Sequence, residues 1–126
     1  MKEIINTPNA PAAIGPYSQA IKIGNMLFIS GQIPINPVTN NLIAGGIKEQ
    51  TQQVLKNLFA VIEAANMKPE NIVKCSCFLK NMSEFADFNS VYTEFLGTIL
   101  PARECVEVAR LPRDVLVEIS AICIIN

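Results

Sequence analysis

Residues 101–119 read PARECVEVARLPRDVLVEI, and they set Arg103, Glu104, Glu107 and Glu118 among valine, leucine and isoleucine. Period-two alternation on either side of the Arg110-Leu111-Pro112-Arg113 turn predicts two strands, at about 102–108 and 115–125. Val115, Val117, Ile119, Ala121, Cys123 and Ile125 form an uninterrupted apolar row that belongs against helices; Leu116, Glu118, Ser120, Ile122 and Ile124 then point the other way. On the first strand Val106 and Val108 mark the helix-facing row. Arg103, Cys105 and Glu107 are left on the opposite face, with Glu104 reaching solvent near the strand end. A hairpin in which Ala109 pairs with Asp114 puts Cys105 across from Glu118 and Arg103 across from Ser120. Arg103 and Glu118 are then diagonal neighbours. On a solvated face they are a cross-strand ion pair contributing about 0.2–1 kcal/mol. Leu116, Ile122 and Ile124 share that face, however, and imply that part of it is covered. A partly dry cation beside a carboxylate suits an anionic ligand.

Working outward, IVKCSCFLK at 72–80 alternates Val73, Cys75, Cys77 and Leu79 with Lys74, Ser76, Phe78 and Lys80, which is a strand. Helical stripes flank it. Apolar residues at 47, 54, 55, 58, 61, 62 and 65 share one face of a helix that ends near Asn66, since Pro69 bars continuation. Phe85, Phe88, Val91, Tyr92, Phe95 and Leu96 make a second stripe, opened by a capping box between Asn81 and Glu84 and closed by Gly97. Its aromatic residues are core rather than a stacking platform. Upstream, strands at 18–23 and 26–32 meet at the Gly24-Asn25 dipeptide of a two-residue hairpin. A loop follows at 34–46, and a short strand at 3–5 precedes the hairpin. The order is hairpin, helix, strand, helix, hairpin. This is one α+β domain over 1–126, with two helices packed on one face of a sheet.

Composition narrows the chemistry. The 126 residues are 50% hydrophobic and 17% charged, with a formal net charge of −1. Ten basic residues are scattered without clustering, which makes a nucleic-acid partner unlikely to be held through bulk charge. No stretch approaches a membrane span or a signal peptide, so the expected setting is cytoplasmic. Cys75, Cys77, Cys105 and Cys123 lack the paired knuckles of a zinc site and read as small buried apolar residues. Histidine is absent, which removes the commonest general base and metal ligand. Catalysis falls to carboxylates, tyrosine, lysine, arginine, cysteine or the backbone.

The segments IGPYSQAI, LFISGQIP, EQTQQVLKNL and above all PARECVEVARLPRDVLVEI resemble the reactive intermediate deaminase (Rid) family, the YjgF-like proteins, and most of all its RidA branch. The similarity runs from about Pro11 to the C-terminus in one order. It implies a chorismate-mutase-like fold, a homotrimer with clefts between subunits, and cofactor-free, metal-free hydrolysis of 2-imino acids. Those imines are released by pyridoxal-phosphate-dependent dehydratases acting on threonine or serine. The resemblance makes Arg103 the clamp on the substrate carboxylate and Glu118 the holder of the attacking water. Tyr17 becomes a hydrogen-bonding group at the ligand, and Gly31 and Cys105 line the pocket with Ser30 beside them. Two positions depart from the family pattern: Glu104 replaces a small residue, and Ser120 replaces a second carboxylate. The expected activity is a 2-iminobutanoate/2-iminopropanoate deaminase. The alternatives are an RNA-directed translation inhibitor acting as an endoribonuclease, and a non-catalytic binder of small carboxylates. A second copy of the chain is the expected cover for Leu116, Ile122 and Ile124.

Overall fold

A computed structural model describes residues 1–126. Its strands are β1 (Lys2–Ile5), β2 (Ala20–Ile23), β3 (Met26–Gln32), β4 (Ile35–Asn36), β5 (Asn41–Leu42), β6 (Ile72–Leu79), β7 (Ala102–Glu107) and β8 (Val117–Ile124). Its helices are α1 (Ile47–Ala64) and α2 (Phe85–Leu96). The main sheet has the order β1-β2-β3-β8-β6-β7, antiparallel throughout except for the parallel β6–β7 pair; β4 and β5 form a small ribbon within the expected loop. The mixed sheet and two helices agree with the α+β reading.

Helix α1 begins where Glu49 folds back to accept the Gly46 N–H at 2.8 Å, satisfying a free donor of the first turn. It ends at Asn66, which takes a left-handed φ of 58°, and the Lys22 ammonium donates to the Ala65 carbonyl at 2.9 Å. Leu55, Leu58, Val61 and Ile62 meet Cys75, Cys77, Leu79, Val117, Ile119 and Cys123 from the sheet, and Phe88 and Leu96 from α2, in one core of 25 buried residues. The capping box at Asn81 does not form. Asn81 instead precedes a short 3-10 turn, Met82–Glu84, and makes no side-chain bond to it.

The last two strands do not form the expected hairpin. β6, α2 and β7 are a strand–helix–strand unit, and a crossover of that kind returns the chain parallel to the strand it left. β7 therefore takes the outer edge beside β6. β8 lies on the other side of β6, which pairs Phe78 with Glu118 and Ser76 with Ser120. Residues 108–116 make the passage, with Arg113 and Asp114 at left-handed φ values of 56° and 57°. The face assignment of β7 is also reversed. Its parallel register sets Cys105 beside Cys77 and Val106 beside Phe78, so Arg103, Cys105 and Glu107 lie toward the helices while Val106 is 44% exposed on the open face. Glu104 also belongs to the open face. It accepts the Ser76 hydroxyl and pairs with Lys74 at 3.0 Å, rather than merely reaching solvent. Val73 departs from its expected row because the β6–β8 register shifts between Ile72 and Lys74, leaving Ile72 buried and Val73 outside.

Candidate functional site

Arg103 projects over α2. Phe85, Asn89 and Tyr92 stand at i, i+4 and i+7 on one helical stripe, and the guanidinium lies across it. Its carbon is 4.6 Å from the Tyr92 ring centroid and 5.5 Å from that of Phe85, and Nη1 donates to Asn89 Oδ1 at 2.8 Å. No carboxylate comes within ion-pair distance of it; the only ion pairs are Lys74–Glu104 and Arg110–Asp114. A cavity of about 470 Å³ opens beside the guanidinium, reaching along α2 to Leu100 and Pro101. Cys105 is half-buried next along the strand. Burial pushes its thiol pKa up, against a smaller opposite pull from Arg103.

The other expected residues gather elsewhere. Between Ile29 and Gln32 the pairing of β3 with β8 shifts, and this irregularity carries Ser30 and Gly31 out of the ladder. The Ser30 N–H donates to the Gln19 carbonyl at 3.0 Å, and its hydroxyl donates to the Ser18 carbonyl at 2.7 Å. Glu118 packs directly against Gly31. A Cβ at residue 31 would overlap the Glu118 carboxylate, so the bare glycine leaves that carboxylate free to occupy its present position. Tyr17 lies over the same opening, its hydroxyl accepting the Ile14 N–H at 3.3 Å. A cavity of about 460 Å³ is bounded by Tyr17, Ser30, Gly31 and Glu118, with Ile14, Ile33, Pro112 and Arg113 completing its wall. Burial alone raises the Glu118 pKa, a shift that keeps a proton available nearer neutrality than an ordinary glutamate allows.

The candidate residues thus fall into two separate groups within one chain. Tyr17, Ser30, Gly31 and Glu118 are brought together; Arg103 and Cys105 are not brought to them. β6 stands between β7 and β8, and Arg103 lies on the helix side while Glu118 lies on the open side. The diagonal pairing expected from a hairpin does not exist. Two residues of consequence escaped the sequence reading. Arg113, which the sequence marks only as part of a turn, stands on the wall of the Glu118 cavity. Asn89 interrupts an aromatic stripe, and its polar identity at the i+4 position from Phe85 was the signal available.

Comparisons with known proteins give the family of the chain. The family model described as Endoribonuclease L-PSP matches residues 7–125. A RutC family protein of Pyrococcus horikoshii is 57% identical over 122 residues, covering 97% of each chain. The 2-iminobutanoate/2-iminopropanoate deaminase of Escherichia coli K12 is 48% identical over 127 residues, covering 98% of each. The crystal structure of E. coli TdcF with bound serine superposes with a TM-score of 0.94 at 41% identity, over 98% of this chain and 99% of that one. A match running from the N-terminal segment through both groups of candidate residues to the end of β8 establishes that the chain belongs to the Endoribonuclease L-PSP family, the YjgF-like Rid proteins.

Proposed function

We propose that the protein is a 2-imino acid deaminase, hydrolysing 2-iminobutanoate and 2-iminopropanoate, with their enamine tautomers, to 2-ketoacids and ammonia. The observation that carries this reading is the state of Arg103: a guanidinium held in place but left without an anion of its own. Its fork matches a carboxylate bidentately, at about 1.5–3 kcal/mol for such charge-assisted bonds. The naming of the E. coli relative and the serine bound to TdcF support a small amino-acid-like carboxylate as the ligand.

The second half-site supplies the water. Glu118 holds and deprotonates a water that attacks the C=N carbon. The proton passes through the carboxyl group to the nitrogen, giving a carbinolamine; the carboxylate then relays the carbinolamine hydroxyl proton to the amino group as the carbonyl forms, the C–N bond breaks, and ammonia leaves a ketoacid behind. Tyr17 hydrogen-bonds the bound intermediate, and the Ser30–Gly31 irregularity and Cys105 shape the pocket. The imine carbon is already electrophilic, so orientation and one proton-transfer group are sufficient machinery.

The separation of Arg103 from Glu118 makes a second copy part of this proposal. Phe28, Val106 and Ile122 lie on the open sheet face, Phe28 40% exposed, in a patch that identical subunits cover by packing sheet against sheet. In a homotrimer, Arg103 and Cys105 of one copy meet Tyr17, Gly31 and Glu118 of the next. A cytoplasmic setting, beside the dehydratases that release such imines, belongs to the same reading. No helix is long and apolar enough to cross a membrane.

Semicarbazide competition tests the activity. Added to a threonine dehydratase reaction, the protein is expected to accelerate 2-ketobutyrate and ammonia release and to draw imine away from semicarbazide. No competition at neutral or mildly alkaline pH removes the deaminase and leaves the carboxylate binder. Single-stranded RNA is the comparison substrate, because the family description names ribonuclease chemistry.

A further inference from the structure

The surroundings of Arg103 share one property: none carries a fixed negative charge. The guanidinium rests on the faces of Tyr92 and Phe85 and donates to a neutral amide, Asn89 Oδ1, at 2.8 Å. Around it lie the Tyr92 phenol and the Cys75, Cys77 and Cys105 thiols, each influenced by Arg103, and burial pushes the pKa of every one upward. All four are uncharged at neutral pH. Glu107, the nearest acid along β7 on the helix side, is turned to the backbone of the 3-10 turn before α2, accepting the Met82 N–H at 2.8 Å.

A carboxylate on the helical stripe beneath this guanidinium, at residue 89, would form an ion pair with it. Here that position is an asparagine. The amide carbonyl and the carboxylate oxygen of aspartate have nearly the same shape and accept the same hydrogen bond, but only the carboxylate removes the net charge that an incoming anion needs. The π faces add a second, equally neutral hold, since a ring quadrupole attracts a cation without neutralising it.

We propose that Asn89 is the positioning residue of the carboxylate clamp: its amide fixes the guanidinium over Tyr92 while leaving the full positive charge free for the substrate carboxylate. This rests on the reading of Arg103 as the clamp but not on deamination, because a neutral cradle serves a binder equally well. The helix contributes it through spacing alone, Phe85 and Tyr92 gripping the guanidinium plane and Asn89 its edge. The arrangement also makes the charge at residue 89, rather than its size, the decisive variable.

Two substitutions separate charge from support. Asn89→Asp keeps the shape and the acceptor but adds an anion, so 2-ketobutyrate binding, followed by calorimetry, is expected to weaken at least tenfold with the melting temperature little changed. In turnover the loss should appear in KM, with kcat within about threefold of wild type. Asn89→Ala removes the hold but not the charge and should weaken binding three- to tenfold. An aspartate variant that binds 2-ketobutyrate as tightly as wild type overturns the proposal, as does an alanine variant with unchanged affinity; if one variant fails to fold, the other decides. Wild-type protein that binds 2-ketobutyrate but hydrolyses no imine refutes the proposed activity and leaves this inference standing.

Discussion

At the scale of the residue, the role proposed for Glu118 is set against stability. Burial raises its carboxyl pKa above the unfolded value, so folding penalises the ionised form relative to the unfolded chain. For an acid shifted in that direction, the stabilising contribution is complete below the unfolded pKa and is lost as pH rises through the folded one. Glu118→Gln removes this penalty. It should therefore melt at a higher temperature than wild type at neutral pH, and the advantage should disappear in acid, where both side chains are neutral. Parallel thermal melts at two pH values check this. The same variant should lose turnover while retaining most of its 2-ketobutyrate affinity, because the proposed Arg103 clamp is untouched, whereas Arg103→Ala should lose both. Gly31 is bound into the same argument. Gly31→Ala forces a methyl group into the space of the Glu118 carboxylate and should cost activity by displacing it.

At the scale of the element, the connection from β3 into β4 is held by one helix side chain. Asn57 on α1 is buried and donates to the Ile33 and Ile35 carbonyls at 3.1 and 2.9 Å, while the Gln53 amide donates to its Oδ1 at 2.9 Å. Asn57→Ala leaves two carbonyls without these donors, and a buried unsatisfied group costs about 1–3 kcal/mol. The expected loss is about 2–4 kcal/mol in urea unfolding. Ile33 also walls the Glu118 cavity, so the surviving folded protein should show weakened activity. The elements themselves were largely readable. Both helices, the first hairpin and β6 follow from period and punctuation, because each buries one stripe or one row against the core.

At the scale of the whole molecule, the open sheet face is the deciding feature. Phe28 pairs with Ile122 across β3 and β8, and Phe78 with Val106 across β6 and β7, leaving apolar side chains on a surface that no helix covers. The Lys74–Glu104 pair and the Ser76–Ser120 pair lie among them. Glu104 is held below the usual carboxylate range by the Ser76 hydroxyl and then by Lys74. If this face joins copies, Ile122→Lys places an unpaired charge in a dry contact and should lower assembly and deaminase activity together. Light scattering on size-exclusion peaks, with activity assayed on each, decides it. A fully active wild-type monomer defeats the shared site.

The sequence by itself determined the two helices and the six strands of the main sheet, the two-helix α+β plan, the helix-facing row of β8, the family, and, through the family resemblance, Arg103, Glu118, Tyr17, Ser30, Gly31 and Cys105 as the candidate residues. Those properties are local: a period, a turn dipeptide or a motif of fixed spacing carries them. Tertiary structure decided the pairing of β7, and with it which face Arg103 occupies. In residues 102–108 both rows mix polar and apolar side chains, so alternation could not set the phase of that strand; its neighbour β6 did, through the parallel register that a helical crossover imposes. For the same reason the separation of Arg103 from Glu118 and the neutral cradle of Asn89 and Tyr92 were beyond reach of the linear pattern. They depend on which strand lies between two others and which helix lies above them, and long-range packing settles both.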